Sequence, residues 1–197
     1  MTMKMNAAIA LTVALAAGAA SGCIGTRFDS QDPASDLDQP TRDLVSGIGT
    51  ARAAKNLPPP TWVKDLRPPA ARGALGVARG DVSLKTAAHQ SALGAVTELG
   101  RHVWSFVAEC AEGATYQPPP MALSGRALLL GASVVPLPAG KSVVVLLIAE
   151  PGTAALRADQ MGGGGGGTRP PLESYAHPSV ASGPCGASWP AASPIRW

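Results

Sequence analysis

Residues 82–111, VSLKTAAHQSALGAVTELGRHVWSFVAECA, are the stretch that decides the predicted fold. Apolar residues recur there mainly at steps of three and four, which places them on one stripe of a helix. Asp81 precedes the stretch as a candidate N-cap, and Gly113 follows it as a candidate C-terminal cap. The pattern predicts one long amphipathic helix, half buried against a sheet. Its stripe comprises Leu84, Ala88, Ala92, Ala95, Val96, Leu99, Val103, Phe106, Val107 and Cys110.

Short apolar runs on either side of this helix predict the sheet. Two of them, 126–135 (RALLLGASVV) and 141–149 (KSVVVLLIA), are rich in branched residues, and their short connection favours an antiparallel hairpin. A glycine-punctuated run at 73–78 predicts a first strand. The predicted fold class is therefore α+β, with one long amphipathic helix packed on a small, mostly antiparallel sheet and with disordered flanks.

Composition divides the chain into four segments. Prolines at 58–60 stop any preceding helix, and an unbroken glycine run at 162–167 opens a region rich in Pro, Ser and Ala. The predicted division is a signal peptide over 1–22, a tether over 23–57, a small domain over 58–158 and a disordered tail over 159–197. A frameshifted C-terminus would have the same composition, so composition does not separate it from a native tail.

The first 23 residues have the form of an export signal. A short positive start, MTMKMN, precedes an uncharged apolar run that is too short and too rich in Ala and Gly for a membrane span. Ala20-Ser21-Gly22-Cys23 resembles the lipobox of bacterial lipoproteins, which implies acylation of the Cys23 thiol and cleavage before it. Ile24 favours sorting to the outer membrane by analogy with known lipoproteins. Cleavage by ordinary signal peptidase stays open as an alternative.

The remaining cysteines and the histidines provide few candidate ligands. Cys110 falls on the apolar face of the predicted helix, so we expect a buried free thiol, although an exported compartment also permits a disulfide with Cys185. His89 and His102 lie on different faces of the same predicted helix and do not share a metal there, and His177 lies in the predicted tail. The sequence contains no Cys-x-x-Cys or Gly-x-Ser-x-Gly motif, so we predict no catalytic, cofactor or metal site.

The chain has a small net charge, and its charged residues are scattered along the sequence. The formal net charge is +3, with no basic stripe, which argues against a nucleic-acid partner. Residues 139–142 (AGKS) lack the earlier glycine and the following helix of a phosphate-binding loop. Trp62, after the proline run, has two interpretations: an exposed contact for a partner, or a cover over the sheet, which we favour.

Parts of residues 58–150 resemble a known family. The sequence Pro60-Thr61-Trp62-Val63, the Gly-Val-Ala at 76–78 and the Ala-rich helix that follows resemble the Lpp-twenty-type family of small bacterial membrane-associated lipoproteins. The resemblance implies a structural or adaptor protein of the envelope and provides no catalytic residues.

The expected function is therefore that of a non-enzymatic envelope lipoprotein. Acylated Cys23 would anchor the chain to a membrane, with the periplasmic face of the outer membrane favoured, and the partner would be another envelope protein. The alternatives are a soluble periplasmic binding domain and a hydrolase-type enzyme, which would need a pocket with convergent polar groups.

Overall fold

A computed structural model describes residues 27–28, 37–111, 113–151 and 171–190, so the predicted signal peptide and Cys23 lie outside the described residues. Its helices are α1 (Gln39–Ala53), α2 (Arg67–Ala78) and α3 (Leu84–Leu99). Its strands are β1 (Arg27–Phe28), β2 (Thr61–Trp62), β3 (Val103–Ala111), β4 (Leu129–Leu137), β5 (Lys141–Ala149) and β6 (Ala176–Val180). Within the described residues, no helix is long and apolar enough to cross a membrane.

The strands form one mixed sheet in the order β1-β2-β4-β5-β3-β6. Strand β5 lies at the centre and pairs antiparallel with both β4 and β3. The outer pairings, β1 with β2, β2 with β4 and β3 with β6, are parallel. The predicted hairpin is confirmed as β4 and β5, but the predicted mostly antiparallel sheet is wrong, because three of these five pairings are parallel.

Helices cover both faces of the sheet. One apolar cluster joins α1 to the even-numbered residues of β5, such as Leu146, and the other joins α2 and α3 to its odd-numbered residues, such as Leu147. Successive side chains of a strand point to opposite faces, so a strand between two helical layers needs apolar residues at every position. The domain is therefore a three-layer structure, and the predicted single helix on one side of a small sheet is wrong.

The predicted long helix is in fact a helix followed by a strand. Helix α3 begins after Ser83, whose hydroxyl accepts from the amide of Thr86 at 3.1 Å, and it ends at Gly100 in the left-handed conformation, φ 60°. Residues 103–111 then form β3, most of which is buried. Because both faces of β3 are covered, its apolar residues do not alternate with polar ones. Some of these apolar residues therefore happen to fall at the three- and four-residue spacing of the preceding helix.

The predicted first strand at 73–78 is also wrong, because these residues belong to helix α2. Prolines in the first turn of α2 suit a helix start, where the missing amide hydrogen is not needed. Gly73 permits α2 to approach α3 closely, since a Cβ atom at this position would collide with the hydroxyl of Ser91. The glycine therefore marks helix packing and not a strand.

The prediction of disordered flanks is wrong for the described parts of both flanks. Helix α1 lies within the segment predicted as a tether, is capped by Asp38, and buries Leu44, Val45 and Ile48 against the sheet. Strand β6 lies within the predicted tail and extends the sheet beside β3. Helix α1 is ordered by the apolar face that it covers, and β6 by its pairing with β3, and composition reveals neither contact.

Candidate functional site

A cleft with a volume of about 610 Å³ opens between α1 and the end of the sheet where β4 turns into β5. Helix α1 forms one wall, and the loop 113–118 forms the opposite wall. The lining is mainly apolar and includes Leu44, Ile48, Val134, Pro136 and Val144. A cleft of this size and character is typical of sites that accept a small apolar ligand or a few side chains of a partner.

Five residues with polar side chains line the cleft: Asp43, Thr115, Tyr116, Lys141 and Ser142. Two of them have partners, because Lys141 Nζ lies 2.6 Å from Glu109 Oε1 and Asp43 accepts a hydrogen bond from Gln39 at 2.6 Å. A further lining residue, Tyr116, has a buried hydroxyl without a hydrogen-bond partner among the described residues. Burial raises the pKa of Tyr116, so its hydroxyl stays protonated at neutral pH.

A disulfide between Cys110 of β3 and Cys185 lines the cleft, and the two Cα atoms are 4.2 Å apart. The expected free thiol at Cys110 is therefore wrong. The expectation failed because it placed Cys110 on a helix and Cys185 in a disordered tail. In the structure, the side chain of Cys110 points to the sheet face over which the segment 181–190 passes.

This C-terminal segment also positions the wall of the cleft. The amide of Gln117 donates to the carbonyl oxygen of Cys185 at 2.9 Å, and the indole nitrogen of Trp189 donates to the carbonyl oxygen of Gln117, also at 2.9 Å. The Trp189 ring packs edge-on against Phe106, with 5.4 Å between ring centroids. The shape of the cleft thus depends on a segment for which the sequence predicted no structure.

Two histidines meet at another place, beside the start of β3. His102 Nδ1 lies 3.0 Å from His177 Nε2, although the residues are 75 positions apart. The His177 ring stacks on Trp104 at 4.9 Å, and the His102 ring lies 4.6 Å from the ring of Tyr175. Burial lowers the pKa of both histidines, and the negative charge of Glu150 partly offsets this for His102.

The sequence did not predict this pair. His102 was assigned to a helix, whereas it lies just before β3, and His177 was assigned to a disordered tail, whereas it lies in β6. His89 is exposed on α3. Across the described residues there is no group of three or more His, Cys, Asp or Glu side chains arranged to hold a metal ion.

The predictions for Cys23 and Trp62 stand differently against the structure. Cys23 lies outside the described residues, so its acylation stays a prediction. Trp62 lies in β2, is 2% exposed, and packs in the apolar cluster under α1. A side chain so buried has the position expected of a cover over the sheet, and its ring offers no surface to a partner in this conformation.

Comparison with known proteins does not extend this description. No family model matches the chain, and no similar curated protein or solved structure was found. The assignment of function therefore rests on the N-terminal sequence, the disulfide and the cleft.

Proposed function

We propose that this chain is an exported, non-enzymatic envelope lipoprotein, anchored by acylated Cys23, and that its folded domain is an adaptor for another envelope component. The observation that carries the proposal is the disulfide between Cys110 and Cys185. Disulfides form and persist in oxidising compartments such as the bacterial periplasm and are rare in the cytosol. The bond therefore supports the export that the N-terminal sequence predicts.

The distance between the anchor and the domain is compatible with this role. Only residues 24–26 separate Cys23 from β1, and four steps of extended chain span at most about 14 Å. An acylated Cys23 would therefore hold the β1 edge of the sheet close to the bilayer. A partner in the same membrane, or in the adjoining periplasm, is within reach of a domain held in this way.

The cleft supports an adaptor role. Its walls are mainly apolar, and apolar side chains of a partner gain free energy when they leave water. The chemistry of the cleft therefore favours a partner segment that presents a few apolar side chains.

Acyl labelling combined with membrane fractionation tests the anchor. The wild type is expected to carry label and to sediment with membranes, whereas Cys23→Ala should lose both. Cys185→Ala is the matched control, because it removes another cysteine and should keep the label. Thiol alkylation of intact cells, without reductant, should leave Cys110 and Cys185 unmodified in the wild type. An unlabelled protein with alkylated Cys110 would contradict the proposal.

The second candidate is a soluble periplasmic binding domain released by ordinary signal peptidase. The cleft favours it equally, since a volume of about 610 Å³ also suits a small ligand. A soluble, unlabelled product with an intact disulfide would support this candidate over the first. A hydrolase has less support, because Lys141 and Asp43 in the cleft are each engaged by a neighbouring side chain.

Substitution of Gly47 tests whether a partner uses the cleft. Gly47 lies on α1 in the cleft wall, and a Cβ atom added there meets nothing within 4 Å. Gly47→Leu should therefore fill the cleft without disturbing α1. Ser46→Leu places the same side chain on the exposed surface of the helix, outside the cleft lining. A photo-crosslinker at Thr115 should capture a partner in the wild type and in Ser46→Leu but not in Gly47→Leu; equal capture in all three would contradict the use of the cleft.

A further inference from the structure

The contact between His102 and His177 brings two imidazole nitrogens together at 3.0 Å from distant parts of the chain. Two neutral imidazoles at this distance share one proton in a hydrogen bond, with one ring as donor and the other as acceptor. With the proton of each ring on its other nitrogen, the same two nitrogens direct two lone pairs into the space between the rings, where one cation can accept both. This second arrangement is that of a chelating pair.

We propose that His102 and His177 form a binding site for one divalent transition-metal ion, such as Zn²⁺, which links β6 to β3. Imidazole nitrogen is a preferred ligand of zinc and of its neighbours in the first transition row. Two nitrogens bound to one zinc ion at about 2.0–2.1 Å in tetrahedral geometry lie about 3.3 Å apart. The observed separation of 3.0 Å therefore needs to increase by only a few tenths of an ångström.

The surroundings of the pair are compatible with a cation. Glu150 lies close enough for its negative charge to act on His102, while both of its carboxylate oxygens accept hydrogen bonds from Arg126. Arg101, next in sequence to His102, donates a hydrogen bond to the carbonyl oxygen of Pro151. Metal ligation requires neutral imidazoles, and the burial that lowers the pKa of both histidines keeps them neutral at pH 7.

A metal ion at this place would reinforce an existing connection. Strand β6 pairs with β3 over five residues, with His177 opposite Trp104, and the disulfide attaches the following segment to the far end of β3. The ion would add a second cross-link near the start of β3. Two protein ligands leave the other coordination positions to water, so an exchangeable ion is expected instead of a permanently bound one.

Zinc titration of the full chain tests the site. The chain should carry Cys23→Ala, which removes a competing thiol and leaves the identity of every described residue unchanged. Calorimetry with Zn²⁺ alone, at pH 7.5, is expected to give one ion per chain. His102→Gln and His177→Gln should each weaken binding by at least about tenfold, the range in which metal sites respond to loss of a supporting group. His89→Gln, the third histidine, is the matched control and should bind as the parent does.

Imidazole NMR spectra of the unsubstituted histidines keep the test independent of folding defects in the variants. Zinc should shift the ring nitrogen resonances of His102 and His177 together and leave those of His89 unchanged. No saturable zinc binding, or binding that survives in the His102→Gln/His177→Gln double variant, would overturn the proposal. Because the test uses no partner and no membrane, its result is separate from that of the proposed adaptor function.

Discussion

The guanidinium of Arg52 donates a hydrogen bond at 2.7 Å to the carbonyl oxygen of Ala122, a residue 70 positions later in the chain. The same side chain donates to the carbonyl oxygens of Pro58, Ser124 and Arg126 at 2.8 to 3.0 Å, and its exposed fraction is 0%. One buried cation thus joins the end of α1 to the loop that precedes β4. Burial lowers the pKa of Arg52, but a guanidinium stays protonated in proteins.

Arg52→Met is expected to lower the free energy of unfolding by about 3 kcal/mol or more, because it leaves four carbonyl oxygens without their donor in the protein interior. Urea denaturation followed by circular dichroism measures the loss. Arg52→Lys should be intermediate, since an ammonium group has three donors and lacks the planar fork. Arg42→Met is the control on the exposed side of α1 and should cost about 1 kcal/mol or less. Equal losses for the two methionine variants would contradict this role of Arg52.

Removal of the disulfide is expected to destabilise the domain and to loosen the cleft. Cys110→Ala/Cys185→Ala should lower the free energy of unfolding by about 2–4 kcal/mol, because the unfolded chain is no longer restricted by a link across 75 positions. The emission of Trp189, which packs on Phe106 beside the bond, should shift to longer wavelength. Cys23→Ala should leave both observables unchanged. A double variant as stable as the wild type would show that the disulfide is energetically neutral.

Two glycines are expected to respond in opposite directions to the same substitution. A Cβ atom at Gly131 of β4 would collide with Leu66, so Gly131→Ala should destabilise the domain by about 1–3 kcal/mol through overpacking. A Cβ atom at Gly47 meets nothing, and alanine favours the helix, so Gly47→Ala should stabilise the domain by about 0.5–1 kcal/mol. Thermal unfolding of both variants measures the difference, and the same sign for both would contradict the close packing of Gly131 against Leu66 or the open space beside Gly47.

Mild acid is expected to destabilise the domain through the histidine pair. Burial holds the pKa of His102 and of His177 below the ordinary value of about 6.5, so the unfolded chain takes up protons first as the pH falls. The neutral histidine pair makes its full contribution to the free energy of unfolding above about pH 6.5. This contribution falls as the pH drops below that value, and the loss stops growing once the pH is below the lowered pKa values.

The test compares unfolding free energies at a series of pH values between 7.5 and 5 in the presence of a chelator. The double variant His102→Gln/His177→Gln should show a smaller loss over this range than the wild type. His89→Gln leaves the pair intact and should follow the wild type. An unchanged slope in the double variant would assign the acid sensitivity to other groups.

Sequence patterns predicted correctly those elements that depend on residues close together in the chain. The hairpin of β4 and β5 was predicted because two branched apolar runs flank a five-residue connection, and branched side chains suit buried strands. The first half of the predicted helix is α3 for a similarly local reason, its apolar spacing. The order of these elements and the apolar character of the centre were therefore determined by the sequence alone.

Tertiary structure decided the rest, because the deciding contacts join residues far apart in the chain. Residues 103–111 are a strand because they lie between β5 and β6, with α3 on one face and the segment 181–190 on the other. Burial on both faces removes the alternation by which a strand is recognised. Cys110 meets Cys185, and His102 meets His177, each across 75 positions. A periodic pattern reports only which face of a segment is apolar. Which distant segment covers that face is set by the packing of the whole domain.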